Sequence, residues 1–124
     1  LWNRTAARAR ELVDELGVDV EILDHPVAGD ALAVVNTTSA SLQGESLRVE
    51  WQSARLAIDL AYRARIEGGR VVAEPTPFLR EAATAGLAGT DGRSLLAAQG
   101  ALSLSHWLGT SVDPAPMRNA LGLS

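Results

Sequence analysis

The sequence predicts an α/β domain in which a parallel β-sheet is flanked by helices. Two short apolar runs, residues 31–35 and 56–58, show no alternation of apolar and polar side chains. Such runs are typical of strands that are covered on both faces. Segments with helical spacing lie between and after these runs, and helices dominate the second half of the chain. This order of elements favours a parallel sheet with a helical carboxyl-terminal region.

Length and composition fit one globular domain. The chain has 124 residues, of which 47% are hydrophobic and 21% charged, and a domain of this size buries about two thirds of the surface that its unfolded chain exposes. The net charge is −4, so we expect no broad basic face and no nucleic-acid partner. Because no apolar run approaches the roughly 18 residues of a membrane span and no signal-peptide pattern opens the chain, we expect no membrane partner and a cytoplasmic protein.

Three residue types are informative because they are scarce. Cysteine is absent, which excludes a disulfide framework and a thiolate metal site within the chain and fits a reducing compartment. The two histidines, His25 and His106, lack the spacing of metal ligands, so we predict no metal site. All eleven positively charged side chains are arginine, so a mechanism that needs a lysine must obtain it from outside these 124 residues.

Capping residues bound the first elements. Leu1-Trp2 is predicted to end a strand, after which Thr5 is a favourable N-cap and Gly17 a favourable helix end. The helix between them has an apolar face that we expect to be buried, formed by Ala6, Ala9, Leu12, Val13 and Leu16. Residues 18–22 alternate between apolar and acidic side chains, which predicts a half-exposed strand.

The same signals predict helices in the second half. Thr76-Pro77 places a capping hydroxyl before a proline, and Gly86 ends that helix. A longer helix covers about residues 94–108, and a short one begins at Asp113-Pro114. We expect loops or extended excursions over the other segments, which are residues 41–53, residues 63–74 with Gly68-Gly69, and the stretch through Gly89 and Asp91-Gly92.

Polar side chains follow both apolar runs. Residues 36–39 (Asn-Thr-Thr-Ser) come directly after the first run, and residues 59–62 (Asp-Leu-Ala-Tyr) come after the second. Ligands of open α/β sheets bind at the carboxyl ends of the strands, so these residues are candidates for one binding crevice. The plain alternative is that both segments are ordinary strand ends followed by surface loops.

A second candidate site lies at the start of the first helix. Asn3, Arg4, Thr5 and Arg8 place two guanidinium groups and two small polar side chains beside free backbone N–H groups, which favours an anion. In dinucleotide-binding sheets this position holds an acidic residue for the ribose of NAD or an arginine for the 2′-phosphate of NADP. The sequence therefore favours NADP, although Arg4 and Arg8 also fit solvated helix residues one turn apart.

Several short motifs, taken in order, resemble the carboxyl-terminal half of shikimate dehydrogenase. Their order and spacing cover nearly the whole chain. The motifs are Asn3-Arg4-Thr5-Ala6-Ala7-Arg8-Ala9, Val35-Asn36-Thr37-Thr38-Ser39, Asp59-Leu60-Ala61-Tyr62, Thr76-Pro77-Phe78-Leu79, Gly92 with Gln99 seven residues later, and Met117-Arg118-Asn119-Ala120-Leu121.

The resemblance implies a Rossmann-like NADP-binding domain over residues 1–124 that lacks its first strand and glycine-rich loop. It also implies an amino-terminal domain, absent from this chain, that carries the catalytic lysine and aspartate, so this chain is expected to hold no catalytic residue and to be inactive alone. The implied reaction is the NADPH-dependent reduction of 3-dehydroshikimate to shikimate. A homodimer is left open.

The resemblance also assigns residues to the cofactor and the substrate. Those expected at the adenosine 2′-phosphate are Asn3, Arg4, Thr5 and Arg8, those in the crevice beside it are Thr37, Thr38 and Ser39, and those near the nicotinamide are Leu60 and Gly92. Tyr62 and Gln99 are expected to reach the substrate. The alternatives are a core aromatic for Tyr62 and an exposed helix residue for Gln99, and Asp59 is expected to be a structural acceptor rather than a proton carrier.

The sequence departs from the family's pattern at three places. Ser41 replaces a usual glycine, Leu95 replaces a usual methionine, and the connection from Tyr62 to Thr76 is longer than usual. These changes concern the nicotinamide end of the expected pocket more than the 2′-phosphate end. Two alternatives stay open because the front domain is absent from this chain, namely a dinucleotide-binding module without catalytic activity and a relative that acts on quinate.

Overall fold

The fold consists of a small parallel sheet, a separate hairpin and four helices. It comes from a computed structural model, in which residues 1–123 are described. In chain order the elements are α1 (Ala6–Leu16), β1 (Ala33–Asn36), a 3-10 turn (Ala40–Gln43), β2 (Leu56–Asp59), β3 (Arg63–Glu67), β4 (Arg70–Glu74), α2 (Pro77–Thr84), β5 (Ala88–Asp91), α3 (Arg93–Leu108) and α4 (Ala115–Ala120).

The sheet is parallel, as predicted, with the order β1-β2-β5. The central strand β2 buries Ala57 completely, and helix α2 covers it with Phe78 and Ala82, which are also fully buried. The ring of Trp51 lies 5.2 Å from that of Phe78, a pairing that stabilises by about 0.5–1.5 kcal/mol beyond its buried area. The loop over residues 41–53 therefore supplies a core aromatic although it has no regular period.

Helix boundaries agree with the predicted capping residues. The hydroxyl of Thr76 accepts a hydrogen bond from the backbone N–H of Leu79 at 3.2 Å, and Gly17 ends α1 in the left-handed conformation with φ of 61°. Helix α3 ends in the same way at Gly109, with φ of 66°. The prediction for Thr5 was wrong in one respect. Its side chain makes no capping hydrogen bond, and Asn3 instead accepts the backbone N–H of Thr5 at 2.8 Å.

The two strands predicted at the start of the chain are not formed. Leu1-Trp2 runs beside residues 18–23 and shares two backbone hydrogen bonds with them. The amino group of Leu1 donates to the Glu21 carbonyl at 2.6 Å, and the Leu23 N–H donates to the Leu1 carbonyl at 2.8 Å. Two bonds with no further neighbour do not make a ladder, so the alternating pattern of residues 18–22 is not realised as a strand.

Three strands that the sequence analysis treated as loop or excursion are present. The third sheet strand, β5, pairs with β2 along its whole length, although its sequence Ala-Gly-Thr-Asp has no apolar run. Strands β3 and β4 form an antiparallel hairpin around Gly68 and Gly69, whose φ values are 56° and 78°. In the hairpin, hydrogen bonds to Glu74 and then to Glu67 raise the pKa of the Arg65 guanidinium.

Several predicted apolar faces are more exposed than expected. Strand β1 lies at the edge of the sheet, where Val35 is 52% exposed, so the first apolar run is not covered on both faces. On α1 only Ala9 is buried, whereas Leu12 and Leu16 are 44% and 61% exposed. An open groove of about 610 Å³ separates β1 from the segments around Leu1 and residues 20–23. Among residues 1–123, no helix is long and apolar enough to cross a membrane.

Candidate functional site

The three sheet strands end in polar residues that lie side by side. Asn36 is paired in register with Asp59, and Asp59 with Asp91. Because all three strands are parallel, these positions form one carboxyl edge, where ligands of α/β sheets bind. The Asp91 carboxylate is already paired, because it accepts a hydrogen bond from the Nε of Arg93 at 2.9 Å. Arg93 also donates to the Leu121 carbonyl at 2.8 Å. This pair ties the end of the chain to β5.

A polar cleft of about 470 Å³ opens beside the end of β1. One wall comes from the turn before α1 and the first turn of that helix, and the other from the loop after β1. Seven predicted cofactor residues line it together, namely Asn3, Arg4, Thr5, Arg8, Thr37, Thr38 and Ser39. The remaining lining residues, which the sequence analysis did not single out, are Trp2, Ala40, Gln43, Glu45, Ser46 and Leu47.

The electrostatics of the polar cleft favour an anion. Arg4 and Arg8 are exposed, and within the described part of the chain neither forms an ion pair. Glu45 is the one acidic residue that lines the cleft, so the charged side chains there sum to one net positive charge. The amino-terminal end of α1 adds the partial positive charge of its free N–H groups. Arg10 lies on the same helix but does not line the cleft.

A buried polar network lies beneath the loop of residues 37–39. Asp59 is fully buried and accepts four hydrogen bonds, so it is a structural acceptor as expected. The donors are the Asn36 amide at 3.0 Å, the Ser41 hydroxyl at 2.5 Å, the Thr76 hydroxyl at 2.6 Å and the Ala61 N–H at 3.2 Å. Ser41 therefore contributes a hydroxyl that a glycine at this position could not supply.

Leu60 and Gly92, both predicted near the nicotinamide, are in direct contact. Gly92 is buried, and a Cβ atom added to it would lie 2.0 Å from the Leu60 carbonyl oxygen. The Gly92 N–H donates to the Ala61 carbonyl at 3.3 Å. Only glycine permits this approach, so the chain segments after β2 and β5 meet at the carboxyl edge.

Tyr62 and Gln99 are not brought together by a hydrogen bond. Tyr62 is 41% exposed, so it is not a core aromatic. Gln99 lies on α3 seven residues after Gly92 and is exposed. Neither side chain lines the polar cleft, so their contact with substrate stays a prediction. Within residues 1–123, no group of three metal-ligating side chains is assembled.

Curated proteins resemble the chain over nearly its full length, although no protein-family model matches it. The chain is 37% identical to the NADP(+) shikimate dehydrogenase of Thermus thermophilus, in an alignment that covers 99% of this chain and 46% of that protein. It is 33% identical to the NADP(+) shikimate dehydrogenase of Psychrobacter cryohalolentis, with 96% and 41% covered. The chain thus spans less than half the length of these relatives.

Solved structures show the same relationship. The shikimate 5-dehydrogenase of Thermus thermophilus, in complex with NADP(H) and shikimate, has a TM-score of 0.68 and 30% identity over 98% of this chain and 44% of its own. The ligand-free 5-ketofructose reductase of a Gluconobacter strain has a TM-score of 0.71 over 98% of this chain and 45% of its own, but at 23% identity it supports the fold alone. The chain belongs to the shikimate dehydrogenase family and corresponds to the carboxyl-terminal portion of its members.

Proposed function

We propose that this chain is the NADP-binding part of a shikimate dehydrogenase, an oxidoreductase that reduces 3-dehydroshikimate to shikimate. The observation that carries the proposal is the polar cleft, in which seven residues assigned from sequence lie together. The Thermus thermophilus relative, whose structure contains NADP(H) and shikimate, supports the choice of cofactor and substrate. We also propose a cytoplasmic protein, a location with which the cysteine-free sequence is compatible.

The chemistry of the polar cleft fits the 2′-phosphate of NADP. Two arginines without carboxylate partners can donate paired hydrogen bonds to phosphate oxygens. A hydrogen bond between Asn3 and Thr5 forms the turn that places the two arginines at the start of α1. The loop of residues 37–39 forms the facing wall of the cleft. An acidic residue that would accept the free ribose hydroxyl of NAD is absent from positions 3–8.

The other end of the proposed site lies at the contact between Leu60 and Gly92. When bound, NADPH would supply the hydride, and Leu60 and Gly92 would lie near its nicotinamide. Tyr62 and Gln99 follow from the same two chain segments and are proposed to reach the substrate. The chain contains no lysine, so we propose that the proton and positive charge needed by the developing alkoxide come from a separate amino-terminal domain.

Arginine substitutions test the cofactor assignment. In the intact protein, meaning this chain with all the polypeptide that naturally accompanies it, Arg4→Ala should weaken NADPH binding by about 1.5–3 kcal/mol, the range for hydrogen bonds to charged groups. Arg8→Ala should act in the same direction. NADH affinity should change little, because NADH lacks the 2′-phosphate. Dissociation constants for both cofactors, measured by protein fluorescence quenching, provide the readout.

Arg10→Ala is the matched control, because Arg10 is an arginine of the same helix outside the polar cleft. It should leave both affinities near those of the unaltered protein. Equal losses for NADPH and NADH in Arg4→Ala would show that the polar cleft does not hold the 2′-phosphate.

A module that binds the dinucleotide without catalysing hydride transfer is the second candidate. The lack of lysine in the chain fits this candidate as well as the enzyme. The two candidates are separated by assaying the intact protein with NADPH and 3-dehydroshikimate, since cofactor binding without turnover would support the module. An assay with dehydroquinate would identify a quinate-preferring relative.

A further inference from the structure

We propose that Asp59 is a positioning residue for the loop of residues 37–39, and that it acts through Asn36 and Thr38. The proposal rests on the proposed NADP site, because this loop forms one wall of the polar cleft. Asp59 does not line the cleft. Its influence on a bound dinucleotide must therefore pass through the side chains between them.

The direction of the hydrogen bonds is fixed by a backbone N–H, which can only donate. The N–H of Thr38 donates to Oδ1 of Asn36 at 2.9 Å, so the opposite end of the Asn36 amide is its NH₂ group. That group donates to Oδ1 of Asp59 at 3.0 Å and to the Ser41 hydroxyl at 3.3 Å. Because a carboxylate can only accept, Asp59 selects one of the two orientations of the Asn36 amide.

The orientation of Asn36 determines what Thr38 can offer to a ligand. The Ala40 N–H donates to the Thr38 hydroxyl oxygen at 3.3 Å, and the Thr38 hydroxyl proton is directed at Oδ1 of Asn36, 2.8 Å away. Since that proton is in use, Thr38 can only accept a further hydrogen bond. Thr37 and Ser39 make no side-chain hydrogen bond within residues 1–123, so their hydroxyls remain able to donate to phosphate oxygens.

Because these polar side chains are buried, they depend on one another for their hydrogen bonds. Asn36 is 2% exposed, and Asp59, Ser41 and Thr76 are fully buried. A polar atom that loses its partner there has no water to replace it. Removing the charge of Asp59 should therefore let the Asn36 amide change its orientation, so that the loop of residues 37–39 no longer keeps one conformation.

Thr76 provides the matched control. Its hydroxyl donates to Asp59 at 2.6 Å and accepts the Leu79 N–H at 3.2 Å. It thus connects Asp59 to helix α2 and has no bond to Asn36 or to the loop. Thr76→Val should destabilise the fold while leaving the Asp59, Asn36 and Thr38 connection in place.

The experiment measures NADPH dissociation constants and thermal unfolding for variants of the intact protein. Asp59→Asn keeps the side-chain size but places an NH₂ group among the four donors that surround this position. It should raise the NADPH dissociation constant about ten-fold, the effect of losing one or two hydrogen bonds. Thr76→Val should lower Tm with NADPH affinity changed less than about two-fold, a ratio within the usual error of additivity. Thr38→Val should raise the NADPH dissociation constant because it removes the hydroxyl that donates to Asn36, whereas Thr38→Ser keeps that hydroxyl and should not.

The decisive readout is the double variant Asp59→Asn with Thr38→Val. If Asp59 acts through Thr38, the second substitution adds little to the loss caused by the first. The proposal would be overturned if the fold losses of NADPH affinity in the two single variants multiply in the double variant. It would also be overturned if Thr76→Val loses NADPH affinity in proportion to its drop in Tm. If Asp59→Asn does not fold, Ser41→Ala replaces it, because it removes one partner of both Asp59 and Asn36 and keeps the charge.

Failure of this inference and failure of the proposed function give different results. If the unaltered protein does not bind NADPH, both are wrong. If Arg4→Ala selectively weakens NADPH while Asp59→Asn folds and binds normally, the NADP site stands and the positioning role is refuted.

Discussion

At the scale of single residues, Tyr62 is the side chain that bears most directly on the substrate end of the proposed site. It is 41% exposed, and its hydroxyl has no hydrogen-bond partner within residues 1–123. The contact between Gly92 and the Leu60 carbonyl, together with the bond from Gly92 to Ala61, holds the chain immediately before Tyr62.

Removing that hydroxyl tests the substrate assignment. Tyr62→Phe in the intact protein should lower kcat/KM for 3-dehydroshikimate by about 2- to 13-fold, which corresponds to a neutral hydrogen bond of about 0.5–1.5 kcal/mol. The dissociation constant of NADPH should not change, because Tyr62 lies outside the polar cleft. An unchanged kcat/KM, or a loss confined to NADPH affinity, would remove Tyr62 from the substrate site.

The polar cleft was predictable from sequence because its residues come from two compact motifs at strand and helix ends. The loop of residues 37–39 followed from the rule that ligands of open α/β sheets bind at the carboxyl ends of the strands. Arg4 followed from the free N–H groups at a helix start together with the resemblance to the family. The hydrogen bonds beneath them were not predictable. Asp59, Ser41 and Thr76 lie on three separate segments, and nothing in their spacing tells which donor reaches which oxygen.

At the scale of elements, the β3-β4 hairpin depends on the conformation of its two-residue turn. Gly68 and Gly69 both have positive φ, 56° and 78°, as a two-residue hairpin turn of the favoured type requires. Every residue of β3 is exposed. Strand β3 is therefore held mainly by the turn and by its ladder with β4, which is partly buried. The hairpin belongs to the longer connection that separates Tyr62 from Thr76.

A substitution in this turn should affect stability but not the cofactor. Gly69→Ala should lower the free energy of unfolding of the intact protein by about 1–2 kcal/mol, the cost of a left-handed conformation for a residue with a Cβ atom. Gly69→Asn should lower it less, because asparagine adopts this conformation more readily. Urea unfolding measures both, and NADPH affinity serves as the control. Equal losses for alanine and asparagine would contradict the role of positive φ.

Elements with local signals were predicted, and elements that depend on a partner were not. Helix α2 carries its capping hydroxyl and proline in sequence, so its start was correct. Strand β5 consists of Ala-Gly-Thr-Asp and is extended because β2 pairs with it. Residues 18–22 present the opposite case, since their alternation suits a strand but no ladder forms beside them.

At the scale of the whole molecule, the residues proposed to hold the cofactor include no lysine and no histidine. His25 lies 3.5 Å from Glu50 in an exposed pair, His106 lies near the end of α3, and neither lines the polar cleft. No glycine-rich turn with the spacing of a pyrophosphate loop occurs in the sequence. The proposed reaction would therefore need a proton donor and a pyrophosphate loop from outside these 124 residues.

The isolated 124-residue chain should catalyse no measurable hydride transfer to 3-dehydroshikimate. Its NADP binding should also be weak, because the backbone N–H groups of a pyrophosphate loop are missing. The assay follows NADPH oxidation by the chain alone and again after the amino-terminal part is added as a separate polypeptide. Turnover by the chain alone would show that the catalytic groups have been misplaced, and recovery on addition would support a site divided between two domains.

The exposed edge of β1 has a consequence for the behaviour of the chain in concentrated solution. Leu32 and Asn36 direct their carbonyls toward β2, so by alternation the N–H and C=O groups of Ala33 and Val35 point away from it, into the apolar groove. A free strand edge beside exposed apolar side chains is a template on which the strand of another molecule can add. Self-association of the isolated chain would begin at β1, and aggregation there would compete with any measurement made at high protein concentration.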